Sequence, residues 1–274
     1  MRYASTGVNS DDCSATRDTS AKNAGRWSSD FEDARMMRRA PSAQTVVLVH
    51  SPFLGPASLQ PLADELGAAG ITSFVPDLRG AVLGEPVHHE LIVEFIRAMD
   101  SASAASSLVV VGHSGAGPLL PAFAESVDHS VTALIYLDAE LPTPGRSWDD
   151  AAPVEQADQL RSRVQQSLLP PWHRWFDDDL LAELVPDDAR RALIVDEEPA
   201  VKAAFLAEKR PDAEWAGPAG YIQLSPPYAS PAARSAQRGW PVRRLRAHHL
   251  APATQPRMIS AALLGMVATW SSWT

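Results

Sequence analysis

The sequence has 274 residues, 45% of them hydrophobic and 21% charged, a composition typical of a soluble globular domain with a sizeable core. The formal net charge of −9 argues against a general affinity for nucleic acid or for an anionic membrane, and it favours a small-molecule partner. A single cysteine, Cys13, excludes an internal disulfide, and it provides no zinc-binding spacing.

Residues 1–43 are rich in Ser, Asp, Arg and Thr and show no hydrophobic period. We expect them to form a disordered leader. The first residues lack the apolar core of a secretory signal, and the apolar stretch 259–270 is too short to span a bilayer. We therefore expect a cytoplasmic protein that does not bind membranes, and no pattern indicates its oligomeric state.

Strands and helices alternate from residue 45. The first strand, 45–50, is a continuous β-branched and aliphatic run, which is typical of a strand buried on both faces of a parallel sheet. The spacing of apolar residues then predicts, in order, a helix over 59–69, a strand over 71–75, a helix over 88–99, a strand over 108–111, a helix over 118–126 and a strand over 131–137.

The alternation breaks over residues 143–216, where apolar residues at helical spacing are mixed with prolines and four tryptophans. It resumes with strands at 220–224 and 242–245 and helices at 231–238 and 258–269. We therefore predict an α/β fold with a mostly parallel, doubly wound sheet. Its core would comprise residues 44–142 and 217–274, interrupted by a helical lid over 143–216.

The segment Gly112-His113-Ser114-Gly115-Ala116-Gly117 directly follows a predicted strand and directly precedes a predicted helix. A serine in such a sharp turn presents its hydroxyl above the sheet edge, and small residues on both sides keep the flanking backbones apart. The amide of Gly115 would donate to an oxyanion formed beside Ser114. These features indicate a nucleophilic serine.

This pattern resembles the α/β-hydrolase superfamily over residues 45–270. The matching pieces follow in order: the strand that ends at His50, the turn at 76–80, the Ser114 segment, the strand that ends at Asp138, and a late histidine. The resemblance implies the family's fold and its chain order of nucleophile, acid and histidine.

The resemblance also implies a base in the loop after the last strand, where Ala247-His248-His249-Leu250 lies. We favour His249, because the family's histidine commonly precedes a short apolar step, and His248 is the competing choice. His50 and His113 would lie beside the site as supporting groups.

The acid has an unusual place in this sequence. Many family members carry it after the strand that follows the lid, but residues 225–230 contain no carboxylate. Haloalkane dehalogenases and some other members carry it one strand earlier, where this chain has Asp138. Glu140 is the second choice. The acid would orient the imidazole and stabilise its charged form.

The second oxyanion donor is also unusual. Family members usually have His-Gly-x after the first strand, with the amide of x as donor, whereas this chain has His50-Ser51-Pro52-Phe53. Proline has no amide hydrogen, so Pro52 cannot donate. We predict that the amide of Phe53 replaces it, with the Ser51 hydroxyl as the alternative.

These residues predict a serine hydrolase that cleaves an ester, thioester, lactone or amide of a small, partly apolar molecule. The alternatives are a lyase, as in hydroxynitrile lyases, or a cyclase on the same fold, and a catalytically silent binding protein. The sequence has no H-E-x-x-H metal motif and no dinucleotide-binding glycine motif, so we expect neither metal nor cofactor.

The predicted lid carries two further features. Its aromatic side chains would either line an apolar pocket or pack the lid onto the body: Trp172, Trp175, Phe176 and Trp215. Its acidic run, Asp177-Asp178-Asp179, is typical of a helix start with solvated charges.

Overall fold

The computed structural model describes residues 44–101, 107–152, 154–176 and 179–271. The predicted leader over 1–43, with Cys13, lies outside the described residues, and so do Asp177 and Asp178.

The described residues form a sheet of six strands, all parallel, in the spatial order β2-β1-β3-β4-β5-β6. The strands are β1 (Gln44–Val49), β2 (Ser73–Phe74), β3 (Ser107–His113), β4 (Ser130–Leu137), β5 (Ala219–Gln223) and β6 (Val242–Arg244). The predicted parallel sheet is therefore confirmed. Because all strands run the same way, their carboxyl ends, and the loops that follow them, lie along one edge of the sheet.

The described α-helices follow the predicted alternation. They are α1 (Gln60–Ala68), α2 (Val87–Ser101), α3 (Leu120–Ser126), α4 (Trp148–Ala151), α5 (Val154–Ser162), α6 (Leu180–Leu184), α7 (Asp188–Asp196), α8 (Ala229–Gln237), α9 (Ala251–Thr254) and α10 (Pro256–Ser271). Short 3-10 helices lie over Pro56–Ser58, Arg79–Leu83, Ser114–Leu119, Trp172–Arg174, Ala203–Ala207 and Pro226–Tyr228.

Helices cover both faces of the sheet, and the side chains of β1 show why its apolar run is continuous. Val46 and Leu48 pack in one layer with apolar residues of α1 and α10. Val47 and Val49 point to the opposite face and pack with residues of α2 and α3. Successive side chains of a strand alternate between faces, so a strand covered on both sides needs apolar residues at every position.

The segment between β4 and β5 contains α4 to α7 and packs on the same face as α2 and α3. Hydrogen bonds also hold this inserted segment against the rest of the fold. Glu208 accepts hydrogen bonds at 2.7 Å from the amides of Val87 and His88, which begin α2 and have no partner inside that helix. Glu197, just after α7, accepts one at 2.6 Å from the amide of Ala57. The inserted segment is thus joined to the loops that follow β1 and β2.

The segment after Ser114 differs in detail from the predicted helix over 118–126. It begins with a 3-10 helix over Ser114–Leu119, and α-helix starts only at Leu120. Two glycines and Pro118 occupy this stretch, and all three are poor α-helix formers. No helix among the described residues is long and apolar enough to cross a membrane.

Candidate active site

Ser114 stands at the turn between β3 and the 3-10 helix, with a backbone φ of +57°. This left-handed conformation is unusual for a residue other than glycine, and such strain is common at functional sites. The turn is tight on both sides. A β-carbon on Gly112 would lie 2.8 Å from the Leu120 side chain, and one on Gly117 would lie 2.3 Å from the carbonyl oxygen of Glu140. Glycine at both positions therefore makes the turn possible.

His249 and Asp138 are hydrogen-bonded to each other. The distance between His249 Nδ1 and Asp138 Oδ2 is 2.9 Å, and the carboxyl group is fully buried. Asp138 lies directly after β4 with a φ of +44°, a second strained position. Its carboxylate also accepts hydrogen bonds from the amides of Leu224 and Ser225 and from the Ser225 hydroxyl. The carboxylate is therefore held in one orientation from several directions.

These contacts determine the charge of Asp138 and the tautomer of His249. Burial alone would raise the pKa of Asp138, but the hydrogen bonds from His249, Ser225 and Leu224 outweigh it, and the pKa lies below its usual value. An ionised carboxylate can only accept, so His249 Nδ1 carries the proton. In the neutral imidazole this leaves the lone pair on His249 Nε2, which is the tautomer that a general base requires.

The two competing residues point elsewhere. His248 Nε2 lies 3.1 Å from the Thr254 hydroxyl, and this places its ring against α9 rather than against Asp138. Glu140 is partly exposed, and its carboxylate lies 3.7 Å from the guanidinium of Arg234. The structure thus brings together Asp138 and His249, the favoured residue of each pair.

The Ser114 hydroxyl has an unexpected partner. Its Oγ lies 3.3 Å from the Oη of Tyr228, and within the described part of the chain this is its only hydrogen bond. The Tyr228 ring stacks on the His249 ring, with an interplanar angle of 3° and centroids 5.0 Å apart. Sequence reasoning missed Tyr228. Its position at the end of the loop after β5, at the same sheet edge as the serine, was the signal that could have indicated it.

The loop after β1 lies on the other side of Ser114. The amide of Phe53 donates to Ser51 Oγ at 3.3 Å, and the amide of Leu54 donates to the Ser51 carbonyl at 3.0 Å. A β-carbon on Gly115 would lie 3.2 Å from both Ser51 Oγ and Pro52 Cδ. The loop therefore lies against Gly115, but its Phe53 amide is turned towards the Ser51 hydroxyl.

Two further histidines are buried beside the site. His113 lies between Gly112 and Ser114, and its Nε2 donates to the carbonyl of His249 at 2.9 Å. Burial, followed by the nearby His249, lowers the pKa of His113 to about 3, so it stays neutral. His50 bridges two loops, since its Nδ1 donates to the Ser51 carbonyl and its Nε2 accepts from the amide of Leu78. Burial lowers the pKa of His50 as well.

Aromatic side chains of the inserted segment lie over these residues. The Trp172 ring lies 6.0 Å from the His249 ring, and the Trp175 ring packs edge-on against Phe53 at 4.7 Å. Phe176 is 40% exposed and contacts Trp172. Trp215 instead donates to the carbonyl of Pro218, next to β5. Two of the four predicted aromatic residues thus contact residues of the site directly.

The described residues contain no group of three or more His, Cys, Asp or Glu side chains arranged to hold a metal ion. Around Ser114, His249 is paired with Asp138, and His113 and His50 are hydrogen-bonded to backbone groups. The described contacts connect Ser114 to the His249–Asp138 pair through Tyr228, which lies against the serine hydroxyl and stacks on the imidazole. A serine, a histidine and a carboxylate are the residue types of acyl-transfer chemistry.

A family model described as "Alpha/beta hydrolase family" matches residues 46–263. The chain belongs to this family. The match includes Ser114, Asp138 and His249 as well as the inserted segment, so the α/β-hydrolase fold predicted from the sequence is confirmed, and the chain is an enzyme of this fold. None of the curated proteins that were searched is similar to it.

Several solved structures share this α/β-hydrolase fold. An extracellular alpha/beta-hydrolase from a Paenibacillus species is 19% identical, with a TM-score of 0.66 over 81% of this chain and 98% of its own. A pyrethroid hydrolase from Sphingobium faniae is 19% identical, with a TM-score of 0.57 over 84% and 97%. Polyneuridine aldehyde esterase is 17% identical, with a TM-score of 0.59 over 82% and 99%. At these identities the similarity shows the fold. It leaves the predicted cytoplasmic location as a prediction, because one of these α/β-hydrolases is extracellular.

Proposed function

We propose that this enzyme is a serine hydrolase that cleaves an ester, thioester, lactone or amide of a small, partly apolar molecule. The observation that carries the proposal is the 2.9 Å hydrogen bond between His249 Nδ1 and Asp138 beside the strained turn of Ser114. Ser114 attacks the carbonyl carbon while His249 Nε2 takes its proton. His249 then gives that proton to the leaving group. In the second half of the reaction, water attacks the acyl carbon while His249 takes its proton, and Ser114 leaves with that proton.

The oxyanion donors in this proposal are the amide of Gly115 and, from the loop after β1, the amide of Phe53 or the hydroxyl of Ser51. Pro52 supplies no donor. Ser51 Oγ already accepts from Phe53, so its own hydrogen is free to donate to an oxyanion. Residues 143–216 would act as a lid, and the aromatic contacts of Trp172 and Trp175 favour an apolar acyl or alcohol portion in the substrate.

The relatives of similar structure support this class of reaction. Two of them are named as a pyrethroid hydrolase and as polyneuridine aldehyde esterase. Another is a variant of tomato methylketone synthase I in complex with beta-ketoheptanoate, 15% identical with a TM-score of 0.59 over 83% of this chain and 98% of its own. The last name, together with the occupied Phe53 amide, favours a non-hydrolytic reaction as the second candidate.

A fluorophosphonate probe and a short-chain 4-nitrophenyl ester test the proposal. We expect the probe to label wild-type enzyme at Ser114 and the ester to be turned over. Ser114→Ala should lose both, and His249→Ala should lose at least about a thousandfold in kcat. The double variant should be no slower than Ser114→Ala, because members of one catalytic unit fail together.

His248→Ala is the matched control and should retain turnover, with thermal midpoints measured for every variant. Loss in His248→Ala with a normal His249→Ala would reassign the base by one residue. Labelling at Ser114 without turnover of any ester, thioester, lactone or amide would favour a lyase or cyclase. Absence of both labelling and turnover would contradict a nucleophilic Ser114.

A further inference from the structure

Tyr228 is a second hydroxyl at the site. It ends the 3-10 helix Pro226–Tyr228, which follows β5. Its Oη lies 3.3 Å from Ser114 Oγ, and its ring lies parallel to His249 with centroids 5.0 Å apart. One side chain therefore contacts both the nucleophile and the base of the proposed reaction.

The sheet order determines on which side of Ser114 this hydroxyl lies. Ser114 follows β3, the loop with Ser51 follows β1, and these two strands are neighbours. Tyr228 follows β5 and His249 follows β6, both on the opposite side of β3. The hydroxyl of Tyr228 thus lies on the histidine side and away from the loop that is expected to hold the oxyanion.

The leaving group must depart on this same side. In acyl transfer from an ester, the bond from the acyl carbon to the alcohol oxygen breaks, and that oxygen takes its proton from the imidazolium. The oxygen must therefore lie near His249 Nε2 as it leaves. A donor in the same place stabilises the negative charge that grows on the oxygen before the proton arrives.

On the basis of the proposed function, we propose that Tyr228 is a further catalytic residue, whose hydroxyl donates a hydrogen bond to the leaving-group oxygen as its bond to the acyl carbon breaks. The phenol keeps its own proton throughout. His249 supplies the proton that the alcohol carries away, so the reaction balances without another reactant. In the free enzyme the same hydroxyl is hydrogen-bonded to Ser114, and a bound substrate takes over that contact.

Two properties of Tyr228 suit this role. Burial raises the pKa of Tyr228, so the phenol stays neutral and able to donate at neutral pH. Its ring faces the His249 ring, and the negative face of an aromatic ring attracts a cation placed over it. The ring therefore also favours the imidazolium that exists while the leaving group departs.

The experiment separates the hydroxyl from the ring by comparing two butyrate esters. Tyr228→Phe keeps the stack on His249 and removes only the hydroxyl. 4-Nitrophenolate is a stable anion and needs little help to leave, whereas ethoxide needs a donor and a proton. We expect kcat/KM, which covers binding and acylation but not deacylation, to fall less than about threefold for the nitrophenyl ester and about thirtyfold for ethyl butyrate.

Tyr221→Phe is the matched control, because it removes a buried hydroxyl that is hydrogen-bonded to Ala139 at the same sheet edge. It should change kcat/KM for both esters by the same factor. Fluorophosphonate labelling of Ser114 in each variant checks that the site is folded.

An equal loss on the two esters in Tyr228→Phe, or no loss on ethyl butyrate, would overturn the role of Tyr228 and leave the proposed function intact. If wild-type enzyme cleaved neither ester, the proposed function would fail for esters, and this inference would fail with it.

Discussion

The two sides of Ser114 are built differently. On one side, His249 and Asp138 are hydrogen-bonded to each other, and Asp138 is further held by two amides and a hydroxyl. On the other side, the loop after β1 carries Pro52, which has no amide hydrogen, and the amide of Phe53 is occupied by Ser51. The proposed base and acid are therefore hydrogen-bonded to each other, whereas one of the two expected oxyanion donors, the amide of Phe53, already has a partner.

This difference follows from the elements of the fold that supply the residues on each side of Ser114. Asp138 is attached directly to the end of β4, and its partners Leu224 and Ser225 directly follow β5, so the sheet itself sets their spacing. The opposite side depends on a short loop in which the amides of Phe53 and Leu54 both donate hydrogen bonds to Ser51. The sheet edge fixes the carboxylate of Asp138, and His249, on the loop after β6, is held by its hydrogen bond to that carboxylate. No such fixed partner orients the Phe53 amide towards an oxyanion. Substitutions of Asp138, Ser51 and His113 test this contrast, and Asp138 should show the largest effect.

Asp138→Asn should cause the largest loss. The asparagine oxygen can still accept from the amides of Leu224 and Ser225, so we expect the fold to survive. Its amide would donate to His249 Nδ1 and shift the ring proton to Nε2, and turnover should fall about a thousandfold or more. Kinetics and thermal midpoints measured side by side check both parts.

Glu140→Gln is the control for Asp138→Asn, because Glu140 lies two residues further along the chain and its carboxylate faces Arg234. It should cost less than about twofold. If Glu140→Gln proved the more damaging of the two, the acid would have to be reassigned.

Ser51→Ala tests the opposite side. If the Ser51 hydroxyl is the second oxyanion donor, its removal should lower kcat/KM by about a hundredfold, the lower end of the usual effect of one such donor. Ser235→Ala removes another buried serine hydroxyl, in α8 and bonded to Pro231, and should have no effect on turnover. Unchanged or higher activity in Ser51→Ala would show that the amide of Phe53, once released, acts as the donor.

His113→Gln should have the smallest effect on turnover and a measurable one on stability. The glutamine amide can replace His113 Nε2 as donor to the carbonyl of His249. Burial holds the pKa of His113 at about 3 in the folded state against the usual 6.5, so below pH 6.5 only the unfolded chain takes up this proton. The free energy of unfolding of the wild type should therefore fall as the pH drops from 6.5 towards 3.

His113 alone should lower the free energy of unfolding by at most about 1.4 kcal/mol for each unit by which the pH falls. His113→Gln should remove this contribution from the pH dependence of the free energy of unfolding. Urea unfolding at a series of pH values measures it. Exposed His89, changed to Gln, is the control and should leave the slope as it is. Equal slopes in wild type and His113→Gln would mean that His113 titrates normally in the folded enzyme.

The fold was predictable because its strands carry an unambiguous pattern. Runs such as Leu108–Val111 are apolar at every position, and only a sheet covered on both faces requires that. The observed ends of these elements differ from the predicted ones by at most two residues, since hydrogen bonds at strand and helix ends depend on neighbours that a single segment does not reveal. The 3-10 stretch after Ser114 was not predicted, although its two glycines and Pro118 are poor α-helix formers.

The candidate site also has features that the sequence could predict and features that it could not. Ser114, Asp138 and His249 follow three parallel strands, so their common edge could be predicted from chain order, and the structure places them together; their catalytic roles stay predictions. The stacking of Tyr228 on His249 could not be predicted, because it depends on a rotamer and on the path of a short loop. For the same reason, the sequence did not indicate that the amide of Phe53 faces Ser51.

The carboxylate of Asp138 has one more consequence. Its backbone belongs to the end of β4, but most of its hydrogen-bond donors follow β5, so the charged group lies over the gap between two adjacent strand ends. Position 225, whose hydroxyl touches the carboxylate, lies within reach of the same point from the other strand. A carboxylate could therefore be carried by either strand end, at position 138 or at position 225, and the negative charge would lie at the same point. The imidazole interacts with the charge and not with the strand that carries it, so the strand that supplies the acid can differ while the geometry at the imidazole stays the same.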